Sequence, residues 1–298
     1  MQTILIIAIM CSDLYAINVR ARKSTDRQSG CGKSHKAGFI NNNHIVSGNR
    51  ERTYAVNVPL SYNTDDNKRR PLILDFHGRG ATPEEQYENS MYYTNPKGKE
   101  YVVVYPAGIK KAWQGASYAD PKVSDLQFVT DLVAHIESSY CIDPNRIYAS
   151  GKSNGGGFVD TLACSDHGDR FAAFGMAAAA LYTDNKLSGC PKKRAILEAH
   201  GEADATSKYH GDAAANGGPV PNIAKWVQWW AERDGCSRKD GVKKDLAGYD
   251  VTKYSCKGFT DVVQHYKVHK LGHCWPSKDG KNTDSSGCRG FFREMEFK

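Results

Sequence analysis

Apolar runs and amphipathic stretches succeed one another along this chain in a strand-then-helix rhythm. Residues 52–59 (RTYAVNVP) alternate polar and apolar positions with period two, as a half-exposed antiparallel strand would. Residues 71–76 (PLILDF) and 101–106 (YVVVYP) are apolar almost throughout, the composition of parallel strands buried on both faces. Residues 171–180, 194–199 and 262–268 extend the series. Between them, residues 124–140 place Phe128, Val129, Leu132, Val133 and Ile136 on one helical face, with Ser124 or Asp125 as the cap. Residues 222–233, with Trp226, Trp229 and Trp230, read as a further helix, and Asp143-Pro144-Asn145 is expected to break the chain before the next strand. Such alternation predicts an α/β fold, a mostly parallel sheet covered by helices. No repeat or Ser/Thr/Pro-rich linker marks a second domain.

The chemistry concentrates in residues 147–157 (IYASGKSNGGG). A β-prone run ends in Gly151-Lys152-Ser153-Asn154-Gly155, and a helix-compatible stretch follows. That is the nucleophile-elbow pattern, a serine on a sharp strand-to-helix turn flanked by residues small enough to let the turn close. The helix starting there adds free N–H groups and a positive dipole end beside the attacking oxygen. Gly151-Lys152-Ser153 also resembles the end of a phosphate-binding loop, but that motif needs glycine where this chain has Arg146. Nucleotide binding is therefore set aside.

Composition adds the compartment. The 298 residues suit one large α/β domain, and a net charge of +7 without a long basic block gives no reason to expect nucleic acid. Residues 1–11 are apolar but too short to span a membrane, and read as a secretory signal peptide over 1–16. Residues 17–30 are a polar, basic leader, and the catalytic domain is expected over 31–298. Nine cysteines less Cys11 leave an even eight with no Cys-x-x-Cys pair, which predicts four disulfides. Proximity suggests Cys164–Cys190 and Cys236–Cys256 and leaves Cys31, Cys141, Cys274 and Cys288 unassigned.

Reactive groups in such sheets lie past the carboxyl ends of strands. Three strand ends carry Ser153, Asp204 and His273, in the chain order of α/β-hydrolases. Ser153 is then the nucleophile, His273 the general base and Asp204 the residue that orients the imidazole. The N–H groups of Asn154 and of Arg79, in His77-Gly78-Arg79-Gly80, are expected to form the oxyanion hole, with His77 shaping that loop. Glu202 competes with Asp204, and His200, His210, His265 and His269 compete with His273. The four-residue spacing of His265, His269 and His273 could suggest metal ligands on a helix. The β-branched neighbours favour a strand, Gly272 breaks a helix and no acidic ligand joins them, so no metal is expected. Trp113 and Trp275, beside the expected active-site loops, are candidates for stacking on an aromatic or sugar substrate.

Together, His77-Gly78-Arg79-Gly80, Trp113, Asp125, Gly151-Lys152-Ser153-Asn154-Gly155-Gly156-Gly157, His200-Gly201-Glu202-Ala203-Asp204 and Gly272-His273-Cys274-Trp275-Pro276 resemble the type-C feruloyl esterases of the carbohydrate esterase family 1 type. The resemblance implies an α/β-hydrolase fold and the triad Ser153, Asp204 and His273. It also implies release of ferulic acid from plant cell-wall arabinoxylan by a secreted enzyme with no metal or organic cofactor. A monomer without a membrane or nucleic-acid partner is expected. Polyhydroxybutyrate depolymerase-like and acetylxylan esterases share similar motifs.

Overall fold

The computed structural model describes residues 30–276 and Cys288. The expected signal peptide and all but the last residue of the leader lie outside the described residues. The strands are β1 (Gly38–Ser47), β2 (Arg50–Val58), β3 (Arg70–Phe76), β4 (Val102–Pro106), β5 (Ile142–Lys152), β6 (Ala173–Ala177), β7 (Ile196–Gly201), β8 (Gly241–Leu246), β9 (Tyr249–Cys256) and β10 (Phe259–Val268). They form one sheet in the order β1-β2-β4-β3-β5-β6-β7-β10-β9-β8. Its central strands, from β4 to β10, are parallel, and antiparallel pairs close both edges. The helices are α1 (Pro83–Ser90), α2 (Asp125–Ser139), α3 (Asn154–Ala163) and α4 (Ile223–Asp234).

Successive residues of a strand face opposite sides of its sheet, and here they supply two separate cores. Leu72, Leu74, Phe76, Val102, Val104, Ile147, Ala149, Phe174, Met176 and Ile196 join Phe128, Leu132 and Ile136 of α2, Phe158 and Leu162 of α3, and Trp226 and Trp230 of α4. Ile73, Val103, Tyr105, Tyr148, Leu197 and Ala199 meet Tyr92 and Trp275 on the other face. Every residue of β3 is buried, as its apolar run predicts. Each fully buried Val, Leu or Phe side chain adds about 1.5–3 kcal/mol.

Two local expectations change. β2 is antiparallel as expected, yet Tyr54 to Val58 are all buried, because β2 lies inside the sheet between β1 and β4 with packing on both faces. The Asp143-Pro144-Asn145 segment belongs to β5: the register shifts between Arg70 and Leu72, so the proline sits in an irregular stretch where its missing N–H leaves no gap in the ladder. Four disulfides are present, and Cys164–Cys190 and Cys236–Cys256 are paired as expected from proximity. The remaining four cysteines pair as Cys31–Cys141 and Cys274–Cys288. Among the described residues, no helix is long and apolar enough to cross a membrane.

Candidate active site

β5 delivers the chain to Ser153, which adopts φ 54° and ψ −121° before α3 begins. That conformation costs a non-glycine residue about 1–3 kcal/mol and persists only where the surroundings enforce it. Here Ser153 N–H donates to Ala177 O on β6, while Ser153 O accepts from Gly157 N–H. The flanking glycines answer to close approach. A Cβ on Gly151 would lie 2.7 Å from the Gly155 backbone, and one on Gly155 would lie 2.2 Å from Phe76 O.

β7 and β10 are parallel neighbours, so the loops leaving their carboxyl ends run side by side. Ala203 N–H donates to Leu271 O, tying the two loops together. Asp204 and His273 meet there: His273 Nδ1–H donates to Asp204 Oδ2 at 2.7 Å, and His273 Nε2 lies 2.8 Å from Ser153 Oγ. Since Asp204 Oδ2 accepts at Nδ1, Nε2 is free to accept the serine proton. Asp204 Oδ1 accepts from the N–H groups of Thr206 and Ser207, both at 2.8 Å, which fixes the carboxylate plane. Burial alone would raise the Asp204 carboxyl, but His200 and His273 outweigh it and hold it well below the usual carboxylate range. Burial lowers the His273 imidazole, and Asp204 offsets this only in part. The Cys274–Cys288 crosslink anchors the chain immediately after His273.

The loop after β3 is clamped from several sides. His77 is buried; its Nδ1–H donates to Gly78 O at 2.7 Å and its Nε2 accepts from Gly108 N–H at 3.0 Å. Burial pushes that imidazole down to about 4, so it stays neutral and keeps this tautomer. Trp113 Nε1–H donates to His77 O at 2.8 Å, and Trp113 N–H donates to Asn154 Oδ1 at 2.8 Å. One tryptophan thus joins the His77 loop to the start of α3. An ideal Cβ on Gly78 would lie 3.4 Å from Ser153 Cβ, so the loop passes directly beside the serine. Among the described residues, the N–H groups of Arg79 and Asn154 make no backbone hydrogen bond. Each belongs to the residue that follows a partner in that contact, Arg79 after Gly78 and Asn154 after Ser153.

Further back, Arg52 Nη2 donates to Asp125 Oδ1 at 2.7 Å and Asp125 Oδ2 accepts from Gln114 N–H at 2.8 Å. Gln114 Oε1 accepts in return from the N–H groups of Asp125 and Leu126. This fixes the segment next to Trp113 onto the start of α2.

Among the described residues, Asp160, Cys164 and Asp184 could together approach a metal ion. The Cys164 sulfur is bonded to Cys190, and Arg233 spans both oxygens of Asp184 at 2.6 Å, so a cation already fills that carboxylate.

The chain is similar to several known proteins. A model of the prolyl oligopeptidase family matches residues 85–214, a span that includes Ser153 and Asp204. "Feruloyl esterase D" of Neurospora crassa is 26% identical over 276 residues, covering 86% of this chain and 85% of that protein. "Probable feruloyl esterase C" of Aspergillus flavus is 27% identical, covering 70% and 78%. Among solved structures, an acetyl xylan esterase from Aspergillus awamori superposes with TM-score 0.57 at 16% identity, covering 76% of this chain and 90% of that one. A CE1 ferulic acid esterase from Anaeromyces mucronatus does so with TM-score 0.53 at 15% identity, covering 95% and 93%. The chain has an α/β-hydrolase fold and is similar in sequence to feruloyl esterases over most of its length. The resemblance read from its motifs is therefore matched by relatives that span most of its length.

Within this fold, the structure brings together Ser153, Asp204, His273, Asn154 and the Arg79 loop. It does not bring Trp113 or Trp275 to a surface where substrate could stack. They are 0% and 1% exposed, Trp113 packed on Phe76 and Phe158 and Trp275 within the second core. Glu202 instead pairs with Lys267 at 2.6 Å on the outside. Sequence reasoning passed over Tyr118 and Tyr182. The Arg79 guanidinium lies 3.9 Å over the Tyr118 ring, and Tyr118 meets Tyr182 edge to face. Nothing in their sequence neighbourhood marks them, because they lie on loops far apart in the chain, whose tyrosine hydroxyls approach to 3.5 Å and which a third loop bridges through Ser117 N–H to Gly217 O and Tyr182 O–H to Asn216 O bonds.

Proposed function

We propose that the protein is a secreted serine esterase that releases ferulic or related hydroxycinnamic acids from plant cell-wall arabinoxylan. The observation that carries this reading is the series Ser153–His273–Asp204, with contacts of 2.8 and 2.7 Å, on an elbow at the carboxyl end of the sheet. Ser153 Oγ attacks the ester carbonyl and passes its proton to His273 Nε2. Asp204 stabilises the imidazolium that forms. The oxyanion is received by the N–H groups of Asn154 and Arg79, each worth about 3–4 kcal/mol of transition-state stabilisation. His273 returns the proton to the leaving alcohol, and water then resolves the acyl-enzyme by the same steps in reverse. The curated relatives named feruloyl esterase support the acyl group, and the four disulfides support an oxidising compartment.

A second reading, an acetylxylan esterase, gains from the burial of Trp113 and Trp275, which removes both expected aromatic platforms. Among the described residues, half-buried Tyr118, under the Arg79 guanidinium, and its neighbour Tyr182 offer aromatic surface for a ferulate ring. Hydrolysis of methyl ferulate, a short acetyl ester and a hydroxybutyrate oligomer separates the readings. Higher kcat/KM on methyl ferulate is expected; preference for either other substrate would overturn the feruloyl assignment and keep the serine mechanism.

A further inference from the structure

β7 carries Glu198 and His200 two residues apart and hence on one face, and both are fully buried. An unpaired carboxylate there would be strongly destabilising. Glu198 Oε1 lies 2.7 Å from His200 Nδ1. The other ring nitrogen, His200 Nε2, lies 2.7 Å from Ser207 O, a carbonyl that can only accept, so Nε2 carries a hydrogen. The same Nε2 is 3.4 Å from Asp204 Oδ2, the oxygen that receives His273. On the far side, His265 Nδ1 turns its N–H to Glu198 O at 3.2 Å. It lies 2.8 Å from Glu198 Oε2, a close electrostatic contact whose angle falls short of a hydrogen bond. His265 Nε2 meets the Tyr209 hydroxyl at 3.0 Å. His200 therefore stands between two carboxylates, with a donor required at one nitrogen and a carboxylate facing the other.

We propose that His200 is a positioning residue for the esterase reaction: a buried imidazolium, held by Glu198, that keeps Asp204 ionised and aimed at His273. This rests on the serine-esterase reading above. Two carboxylates and one imidazolium leave a single negative charge behind His273, and that charge is matched when His273 takes the proton of Ser153. Electrostatics agrees with the geometry. Burial would lower the His200 imidazole, yet Glu198 and Asp204 outweigh it and raise it. Burial would raise the Glu198 carboxyl, yet His200 and His265 outweigh it and lower it. The groups facing His200 are Glu198 from β7, Asp204 and the Tyr209 ring from the following loop, His265 from β10 and His273 beyond it. Glu202, Asp250 and Lys267 act at longer range through Tyr209, and Lys152 acts on His273.

The test is His200→Gln, which can still donate an amide N–H to Ser207 O but carries no charge. Its fold is checked by near-UV circular dichroism, and kcat/KM is followed against pH with a nitrophenyl acetate. Without the imidazolium, Asp204 and His273 both protonate more readily. The acid limb should then move up by about one pH unit or more, about tenfold in rate at a fixed pH on that limb. A folded variant whose acid limb stays in place, with a uniformly lower rate, would overturn the proposal. Nitrogen-15 histidine spectra of the unaltered protein at pH 8 provide a measurement that needs neither the variant nor turnover. Protons on both His200 nitrogens are expected; a single proton would overturn the proposal. Absence of any ester hydrolysis would instead count against the functional reading, leaving the spectra to decide on His200.

Discussion

Asp125→Ala removes the acceptor that holds both the Arg52 guanidinium and the Gln114 N–H, so it tests how the active-site loop is anchored. Arg52 and Asp125 are each 2% exposed. Burial raises the Asp125 carboxyl and lowers the Arg52 guanidinium despite their mutual attraction, and both directions say that desolvation outweighs the pairing. The pair therefore adds little stability for its own sake; its use is to fix the Gln114 segment beside Trp113. Breaking it is another matter. Arg52 would keep only Ala107 O at 3.3 Å and the face of Phe128 at 3.8 Å. Removing one partner of a buried pair costs about 3–5 kcal/mol, and the orphaned Gln114 N–H adds about 1–3. Even the low end of that sum, about 4 kcal/mol, corresponds to a Tm loss of roughly 8–16 °C for a domain of this size. Thermal unfolding with disulfides intact measures it. The paired variant Arg52→Met with Asp125→Ala removes the stranded charge and should recover at least half of the loss. A single variant within about 1 kcal/mol of the parent, or a paired variant no more stable than the single one, would refute the reasoning.

Because burial lowers His273, the acid limb of kcat/KM should centre below the ordinary imidazole value of about 6.5, with activity lost as pH falls through it; a midpoint above 7 in a pH–rate profile would contradict this. Trp113→Phe leaves His77 O without its donor, which should cost about 1–3 kcal/mol and lower kcat more than it raises KM, as steady-state kinetics and unfolding would show. Replacing Cys31 and Cys141 by serine opens a loop of 110 residues and should cost about 4–5 kcal/mol, read as a fall in denaturation midpoint. Gly155→Ala places a Cβ 2.2 Å from Phe76 O and should abolish most activity by displacing the elbow; an unimpaired variant would show that this contact can relax.

Much of this arrangement is legible in the sequence because period and punctuation agree. Apolar runs marked β3 and β4, helical periodicity marked α2, and Ser124 caps α2 through Gln127 N–H as its position suggests. Elements with weak apolar patterns were harder to see. α1 (PEEQYENS) is largely polar, although Thr82 before Pro83 and two glutamates gives it proper start signals. β8 is exposed almost throughout, and only pairing with β9 defines it. At the site, strand ends led to Ser153, Asp204 and His273, since chain order and turn chemistry are local. Depth is a different kind of property. Proximity of Trp113 and Trp275 to the active-site loops says nothing about which way their rings turn, and both face cores. The Glu198–His200–His265 series was equally hidden, because it depends on β7 and β10 being neighbours.

The most direct test of the account is mass spectrometry of the enzyme quenched during turnover of methyl ferulate, with peptide mapping of any adduct. The account predicts a feruloyl ester on Ser153 and none in Ser153→Ala, which should be folded and inactive. Turnover that continues in that variant, or an acyl group found on a different residue, would contradict it.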